Sequence, residues 1–306
     1  MIAPEIRAEL EAALPGAIRF DVDASRLTSL RVGGTADALA TPPDRRSLAA
    51  LLAICARQNL PQRVIGRGFN TIVRDEGVDG VLIQLSAFKR LEERPDGCLR
   101  VEAGVSHASL VRFCRDRGLG GLEFGAGIPG SIGGWIAMNA GIPDRETKDA
   151  VREVEVMSPT GAKLRHLPRE HLGFGYRALR GLAPGSLILS ALLAVHVSKR
   201  EAVAEEIERL LEKRAATQPL DVPSCGSVFK NPRGSYAGRL IEAAGLKGAR
   251  HGGAQISPVH ANFIVNTGGA SAADVLALIG HARAAVRMRT GILLEPEVRI
   301  VGRGTG

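Results

Sequence analysis

Between Gly121 and Gly141 the chain reads GLEFGAGIPGSIGGWIAMNAG, with glycine at positions 121, 125, 127, 130, 133, 134 and 141. An internal glycine costs roughly 0.5–1 kcal/mol in a helix or strand, so such a cluster serves a purpose. Two purposes fit: backbone at positive φ, and backbone lying directly against another group. The apolar run WIAMNAG has helical character, which predicts a Gly-rich loop leading into a helix N-terminus. The N–H groups and dipole at such an end favour phosphate oxygens. No basic residue lies within the stretch, so an anion there would be held by backbone amides. The segment reads as a pyrophosphate cradle; a purely structural loop is the other reading of this stretch alone.

The literal G-x-G-x-x-G at Gly125, Gly127 and Gly130 is a different matter. The dinucleotide fingerprint follows a strand, whereas SLVRFCRDRGLGG is a helix pattern closed by Gly118. Pro129 also interrupts the turn.

A chain of 306 residues suits two domains and can bury a sizeable core. With 45% hydrophobic residues and no apolar run near the length of a membrane span, a soluble globular protein is expected. Met1–Arg19 carries Glu5, Glu9 and Glu11 and has no signal-peptide core, so a cytoplasmic location is expected. Cys55, Cys98, Cys114 and Cys225 fall at no metal-ligand spacing; reduced, buried thiols and no metal site are expected. The net charge of +8 could attract anions, but the basic residues are scattered with little aromatic interleaving, which disfavours nucleic acid.

In chain order, residues 4–14 predict an amphipathic helix with Ile6, Leu10, Ala13 and Leu14 on one side. TSLRVGGTADALATP is strand-like, with Gly33-Gly34 marking a close backbone approach. Asp44–Asn59 is a helix whose apolar face holds Leu48, Leu51, Leu52 and Cys55. The strand RVI then enters Gly66-Arg67-Gly68-Phe69-Asn70-Thr71, a second candidate phosphate loop. It lacks the lysine of a P-loop, which argues against nucleotide hydrolysis. VLIQLS and CLRVEAG are strands, VREVEVMS and AKLRHL a hairpin, and SLILSALLAVHVS an interior strand. Lys199–Arg214 is a charged helix with Val203, Ile207, Leu210 and Leu211 inward, placed as a hinge between domains.

Pro219, Pro223 and Pro232 bracket Cys225-Gly226-Ser227-Val228-Phe229-Lys230-Asn231, a short strand between turns that offers a hydroxyl, a cation and an amide. The plainer reading is a turn whose Ser and Asn satisfy local backbone. A helix AGRLIEAAGL, strands in GAQISPVHANFIVNTG and a helix from Ser271 to Thr290 follow. The last strand, ILLEPEVRIVG, carries Glu295 and Glu297 two apart and therefore on one face. Helices and strands mix without βαβ alternation, which argues for an α+β fold.

The Gly66-x-Gly-x-Asn loop, GIPGSIGG with Asn139-Ala140-Gly141, Tyr176-Arg177, GSVFKNP and EPEVRIVG occur in an order that resembles the UDP-N-acetylenolpyruvoylglucosamine reductase (MurB) family. The resemblance runs from about Leu27 to Gly302. It implies an α+β fold with an FAD-binding domain of the vanillyl-alcohol-oxidase (PCMH) type in two subdomains, over 1–198. A smaller C-terminal α+β substrate domain would span 199–306, its last strand returning toward the flavin. It implies non-covalent FAD, NADPH as reductant, and reduction of UDP-N-acetylglucosamine enolpyruvate to UDP-N-acetylmuramate in peptidoglycan synthesis. Hydride would pass from flavin N5 to C3 of the enolpyruvyl group and a proton from Ser227 to C2. Arg177 and Glu297 would complete the catalytic set.

The same resemblance gives FAD contacts to Gly66, Arg67, Gly68, Phe69, Asn70 and Thr71, to Gly127, Ile128, Pro129, Gly130, Ser131, Gly133 and Gly134, and to Asn139 and Gly141. Tyr176, Gln218, Lys230, Asn231 and His260 would contact substrate. For Tyr176 core packing, and for His260 a satisfied histidine, are the plainer readings. A monomer with no nucleic-acid or membrane partner is expected. Phe69 stands where the family usually has serine, Ile-Pro-Asp-Arg-Glu follows Gly141 in place of the usual Ala-Tyr-Gly, and the short segment after Arg177 resembles the family's shorter class, without the inserted tyrosine loop. Two other readings stay open: another FAD oxidoreductase of the same superfold, and a nucleotide-sugar-binding protein without catalysis.

Overall fold

Pro4 opens the first helix, α1 (Pro4–Ala13), where its missing N–H costs nothing. The computed structural model describes residues 1–304. Its contacts divide the chain into unit 1, made of Met1–Phe20, Ala38–Gly66 and Gly80–Lys213, and unit 2, made of Asp21–Asp37, Arg67–Asp79 and Arg214–Gly306.

The strands begin with β1 (Ile18–Asp23), β2 (Thr35–Ala40), β3 (Gln62–Val64), β4 (Thr71–Val73) and β5 (Val78–Ile83). Then come β6 (Leu91–Glu93), β7 (Cys98–Glu102), β8 (Val151–Met157), β9 (Leu164–Pro168) and β10 (Leu187–Ala194). One sheet has the order β1-β2-β5-β3, with β3 and β5 parallel. The second, in unit 1, is antiparallel in the order β9-β8-β10-β7-β6. The predicted hairpin is therefore β8–β9, and the apolar run at 187–194 is the central strand.

Helix α2 (Arg45–Arg57) starts on Asp44, whose side chain accepts from Ser47 N at 2.8 Å, and buries Leu48, Leu51, Leu52 and Cys55 as predicted. Its first residue, Arg45, ties it to the second sheet: Nη1 donates to Glu102 on β7, and Nε and Nη2 donate to the two oxygens of Glu155 on β8. Ser190 on β10 adds a bond to Glu155 at 2.6 Å. Helix α3 (His107–Arg117) is capped by Ser106 and closed by Gly118 at φ +64°. Together with α4 (Ile132–Met138) it covers the second sheet over a core containing Leu99, Leu110, Trp135, Ile136 and Val154. The short α5 (Thr147–Ala150) follows.

In α6 (Arg200–Thr217) Val203, Ile207 and Leu210 are buried, but Leu211, predicted inward, is 45% exposed. Four inward positions so spaced would need a wider contact than one side of this helix makes. The boundary between the units falls within α6, at Lys213/Arg214.

Unit 2 contains β11 (Ser224–Ser227), helix α7 (Ala237–Ala243), β12 (Arg250–His251), β13 (Ala254–Ile256), β14 (Phe263–Asn266), helix α8 (Ala272–Thr290) and β15 (Arg299–Val301). One sheet has the order β11-β14-β13-β12, and β15 pairs in parallel with β4. Leu30, Ile72, Phe229, Ile241, Ile264 and Val275 share its core. The region 28–34 is not a strand, since β2 begins only at Thr35. The expected close approach is present: a Cβ on Gly34 would lie 1.9 Å from the Asp75 carbonyl oxygen. The predicted last strand is likewise shorter, limited to Arg299–Val301, so Glu295 and Glu297 lie outside it. Among the described residues no helix is long and apolar enough to cross a membrane.

Candidate functional site

In unit 1 the Gly-rich loop sorts its glycines by what faces them. A Cβ on Gly125 would lie 2.0 Å from the Trp135 ring, one on Gly133 3.0 Å from Ala103, and one on Gly141 2.2 Å from the Arg145 carbonyl oxygen. Those three are glycine for packing. Gly130, at φ +121°, would place a Cβ with no heavy atom within 4 Å, and Gly134 one no nearer than 4.0 Å to Ser131 Oγ. These two leave backbone open to a ligand. The leading amides of α4 differ from the sequence expectation: Ile132 N donates to Val105 and Gly133 N to Ala103. Of the two open glycines, Gly130 lies in the loop and Gly134 in the first turn of α4. Gly66 lies beside Ser131, where its Cβ would be 3.3 Å from Oγ, and Gln84 Nε2 donates to its carbonyl.

Asn139, fully buried, closes α4 at φ +43°. Its Nδ2 donates to Glu146 and to the Gly175 carbonyl, both at 2.9 Å, and Oδ1 accepts from Lys148 N. Two residues past Gly175 stands Arg177. Phe174–Gly175 pairs with Ala178–Leu179, so Tyr176-Arg177 is the two-residue turn. Arg177 has φ +51°, a region that glycine or asparagine ordinarily occupies and that costs another residue about 1–2 kcal/mol. Its guanidinium donates to the Gly141 carbonyl at 3.0 Å and to that of Asn139 at 3.4 Å, and lies 5.0 Å from the Tyr176 ring. Asp21, Arg31, Asn59 and Asn139 share such a positive φ, so the turn conformation by itself assigns Arg177 no role.

In unit 2 the residues Arg67–Thr71 meet the candidate catalytic segments. Gly68, at φ +70°, packs on the Leu27 carbonyl. Ser29 Oγ lies within hydrogen-bond reach of two carbonyl oxygens, Gly68 at 3.1 Å and Ser224 at 2.6 Å. Asn70 Nδ2 donates to the Glu297 carbonyl, and Arg299 N to that of Asn70. Glu297 N in turn donates to Val228, and Lys230 N to Glu295. Backbone pairing thus holds Glu297 beside the segment bearing Ser227, without a regular strand.

Ser227, Asn231 and His260 line one cleft of about 270 Å³, together with Tyr236, Arg239 and Glu242. Asn262 shapes its floor: Nδ2 donates to the Phe229 carbonyl at 2.8 Å and Oδ1 accepts from Phe229 N at 3.0 Å. Asn231 Oδ1 accepts from Ala237 N, the first amide of α7. His260 Nδ1 accepts from Asn262 N, and burial pushes the imidazole below its ordinary 6.5. Gly238 keeps this wall open, since a Cβ there would lie 3.1 Å from His260 Cε1. Lys230 Nζ pairs with Glu295 at 2.5 Å, and Gln218 Oε1 accepts from Arg214 at 3.3 Å. Sequence reading did not single out Glu146, Arg239 and Asn262: none sits in a motif, Glu146 meets Arg177 and Asn262 meets Phe229 across some thirty residues, and Arg239 lies over the Tyr236 ring.

The family model of the UDP-N-acetylenolpyruvoylglucosamine reductase C-terminal domain matches residues 218–301, and that of an FAD binding domain matches 36–166. The UDP-N-acetylenolpyruvoylglucosamine reductase of Geobacter metallireducens is 46% identical over 298 residues, covering 97% of this chain and 98% of that protein. The chain belongs to the UDP-N-acetylenolpyruvoylglucosamine reductase family.

The crystal structure of the family member from Thermus caldophilus superposes with a TM-score of 0.81 at 37% identity, over 93% of this chain and 99% of that one. A more distant likeness, at 12% identity, TM-score 0.50 and covering 64% of this chain and 44% of the other, is to Phl p 4.0202, a glucose dehydrogenase; it reflects the fold alone. The α+β architecture, with an FAD-binding domain followed by the reductase family's C-terminal domain, is that expected from the motifs. The FAD model covers Gly66–Thr71 and the whole of Gly121–Gly141. The C-terminal model covers Gln218, Ser227, Lys230, Asn231, His260 and Glu297. Tyr176 and Arg177 lie between the two matches.

Proposed function

We propose that this chain is an FAD-dependent reductase that converts UDP-N-acetylglucosamine enolpyruvate to UDP-N-acetylmuramate with NADPH, in peptidoglycan synthesis. The reading is carried by the near-full-length similarity to the Geobacter metallireducens reductase. The residues present fit FAD: Gly130 and Gly134 leave open space where any side chain would project. Gly66–Thr71, Gly127–Gly134, Asn139 and Gly141 would hold it, Asn139 and Gly141 by shaping the loop. Bound there, FAD supplies hydride chemistry between NADPH and C3 of the enolpyruvyl group.

The chain's own residues supply the rest. Ser227 gives its hydroxyl proton to C2. Arg177 binds the substrate carboxylate and stabilises the negative charge that develops as C3 takes hydride, where a preorganised donor typically contributes ~10²–10³ in rate. Its planar fork suits a carboxylate better than a lysine would. Glu297, whose N–H donates to Val228 and whose carbonyl accepts from the Asn70 side chain, orients the substrate or polarises a water. Asn231 and His260 contact substrate in the cleft; Lys230, Tyr176 and Gln218 are its further contacts. Residues 1–198 carry the cofactor and 199–306 the substrate; the enzyme works as a cytoplasmic monomer.

An absorption spectrum followed by anaerobic additions tests this. A yellow protein that NADPH bleaches, and that regains colour only with the UDP-enolpyruvyl sugar, is the expected result. Yellow protein indifferent to that sugar would make it another flavoenzyme. Colourless protein that FAD cannot reconstitute would overturn the cofactor assignment.

A further inference from the structure

We infer that Glu146 is the positioning residue for Arg177, an inference that rests on Arg177 being the carboxylate-binding group. The two carboxylate oxygens of Glu146 divide the work. Oε2 is anchored, accepting from Asn139 Nδ2 at 2.9 Å and lying 2.7 Å from Lys148 Nζ. Oε1 faces the Arg177 guanidinium at 3.5 Å. The Glu146 and Arg177 side chains are only 13% and 17% exposed, so solvent screens the pair little.

This geometry suits a carboxylate that sets the orientation of the guanidinium. From Glu146 the guanidinium receives one oxygen at 3.5 Å, while Lys148 shares that carboxylate's charge. The carbonyls of Asn139 and Gly141 fix the plane of the guanidinium without cancelling its charge. Asn139 completes the device, because the same amide nitrogen that holds Glu146 also holds the Gly175 carbonyl, two residues before Arg177. Carboxylate and guanidinium thus hang from one buried side chain.

The test uses the full-length flavoprotein reduced with dithionite, so that re-oxidation by the UDP-enolpyruvyl sugar is followed apart from NADPH. Glu146→Gln is expected to slow re-oxidation about 10²-fold, the cost of a misplaced catalytic group, with flavin content kept. In an Arg177→Lys background the same change should add little, because the two act as one; a full second loss would overturn the inference. The Arg177 Nε–H NMR signal, assigned by its loss in Arg177→Lys, should shift or broaden in Glu146→Gln even without substrate. Should Glu146→Gln fail to fold, Glu146→Asp, which keeps charge but shortens the reach, should still slow re-oxidation, and full speed would overturn the inference. Normal re-oxidation by Arg177→Lys would instead remove Arg177 from its proposed role. Slow re-oxidation by Arg177→Lys with normal speed in Glu146→Gln would remove Glu146 alone.

Discussion

Asn70 donates from Nδ2 to the carbonyl oxygen of Glu297, 3.1 Å away, across 227 residues of sequence. That bond joins a loop proposed to hold the cofactor to a residue proposed to act on substrate. Two further backbone bonds frame it, Arg299 N to Asn70 and Glu297 N to Val228. Asn70→Ala should cost about 1 kcal/mol in urea unfolding. Asn70→Asp should cost more, because a carboxylate would face a carbonyl oxygen with no proton to offer.

Ser227→Ala separates the two halves of the reaction. The variant should bleach with NADPH at near-normal speed and fail to regain colour with the enolpyruvyl sugar under anaerobic conditions. Normal recovery of colour would remove Ser227 as proton donor. Stopped-flow absorbance reads both steps in one sample.

Trp135 locks the Gly-rich loop by volume. Its ring stacks between His107, 5.5 Å away, and Phe124, 5.7 Å away, and so cannot swing clear of Gly125. Gly125→Ala should therefore destabilise by about 1–3 kcal/mol, as overpacking does, and Trp135→Phe in the same chain should recover part of that loss. Thermal unfolding measures both. Trp135 is the single tryptophan of the sequence, so its fluorescence reports the displacement directly in Gly125→Ala.

The Arg45–Glu155 contact predicts an acid limb of stability. Burial raises the affinity of Glu155 for a proton, but bonds from Arg45 and Ser190 outweigh it and hold the carboxyl below its ordinary 4.5. A depressed carboxylate stabilises the fold above the unfolded value, and that contribution is lost as pH falls through the folded value. Wild-type stability should thus decline below pH 4.5 with a slope that Glu155→Gln reduces. Arg45→Met, which takes the arginine away from two buried carboxylates, should cost about 3 kcal/mol near neutral pH. Urea midpoints across the pH series distinguish these outcomes.

What the sequence made legible was local. Ser106 and Gly118 bound α3, and Asp44 starts α2, because caps and periodicity act within a turn or two. The Gly-rich stretch was legible as a loop, but which of its glycines serve packing depends on Trp135, Ala103 and Arg145, which only the fold brings near. Glu295 and Glu297 looked like one face of a strand, yet their segment pairs through backbone with 228–230, a partner some 65 residues away with no local signature. Asn262 and Glu146 escaped notice for the same reason: each holds the backbone or side chain of a distant segment. Leu211 fitted the apolar period and still faces outward, since periodicity marks a side of a helix but not its width.

Unit 2 gathers Asp21–Asp37 and Arg67–Asp79 from the first third of the chain and the remainder from beyond Arg214. A ribosome delivers those early segments long before their partners. Leu30, Val32 and Ile72, buried in the finished core with Val275 and Val286, must wait through the synthesis of some two hundred residues. At about 5–20 residues per second that wait lasts on the order of ten seconds or more. During it the nascent protein displays apolar surface that only residues beyond Arg214 can cover, and a stalled or prematurely ended translation product would be left with that surface bare.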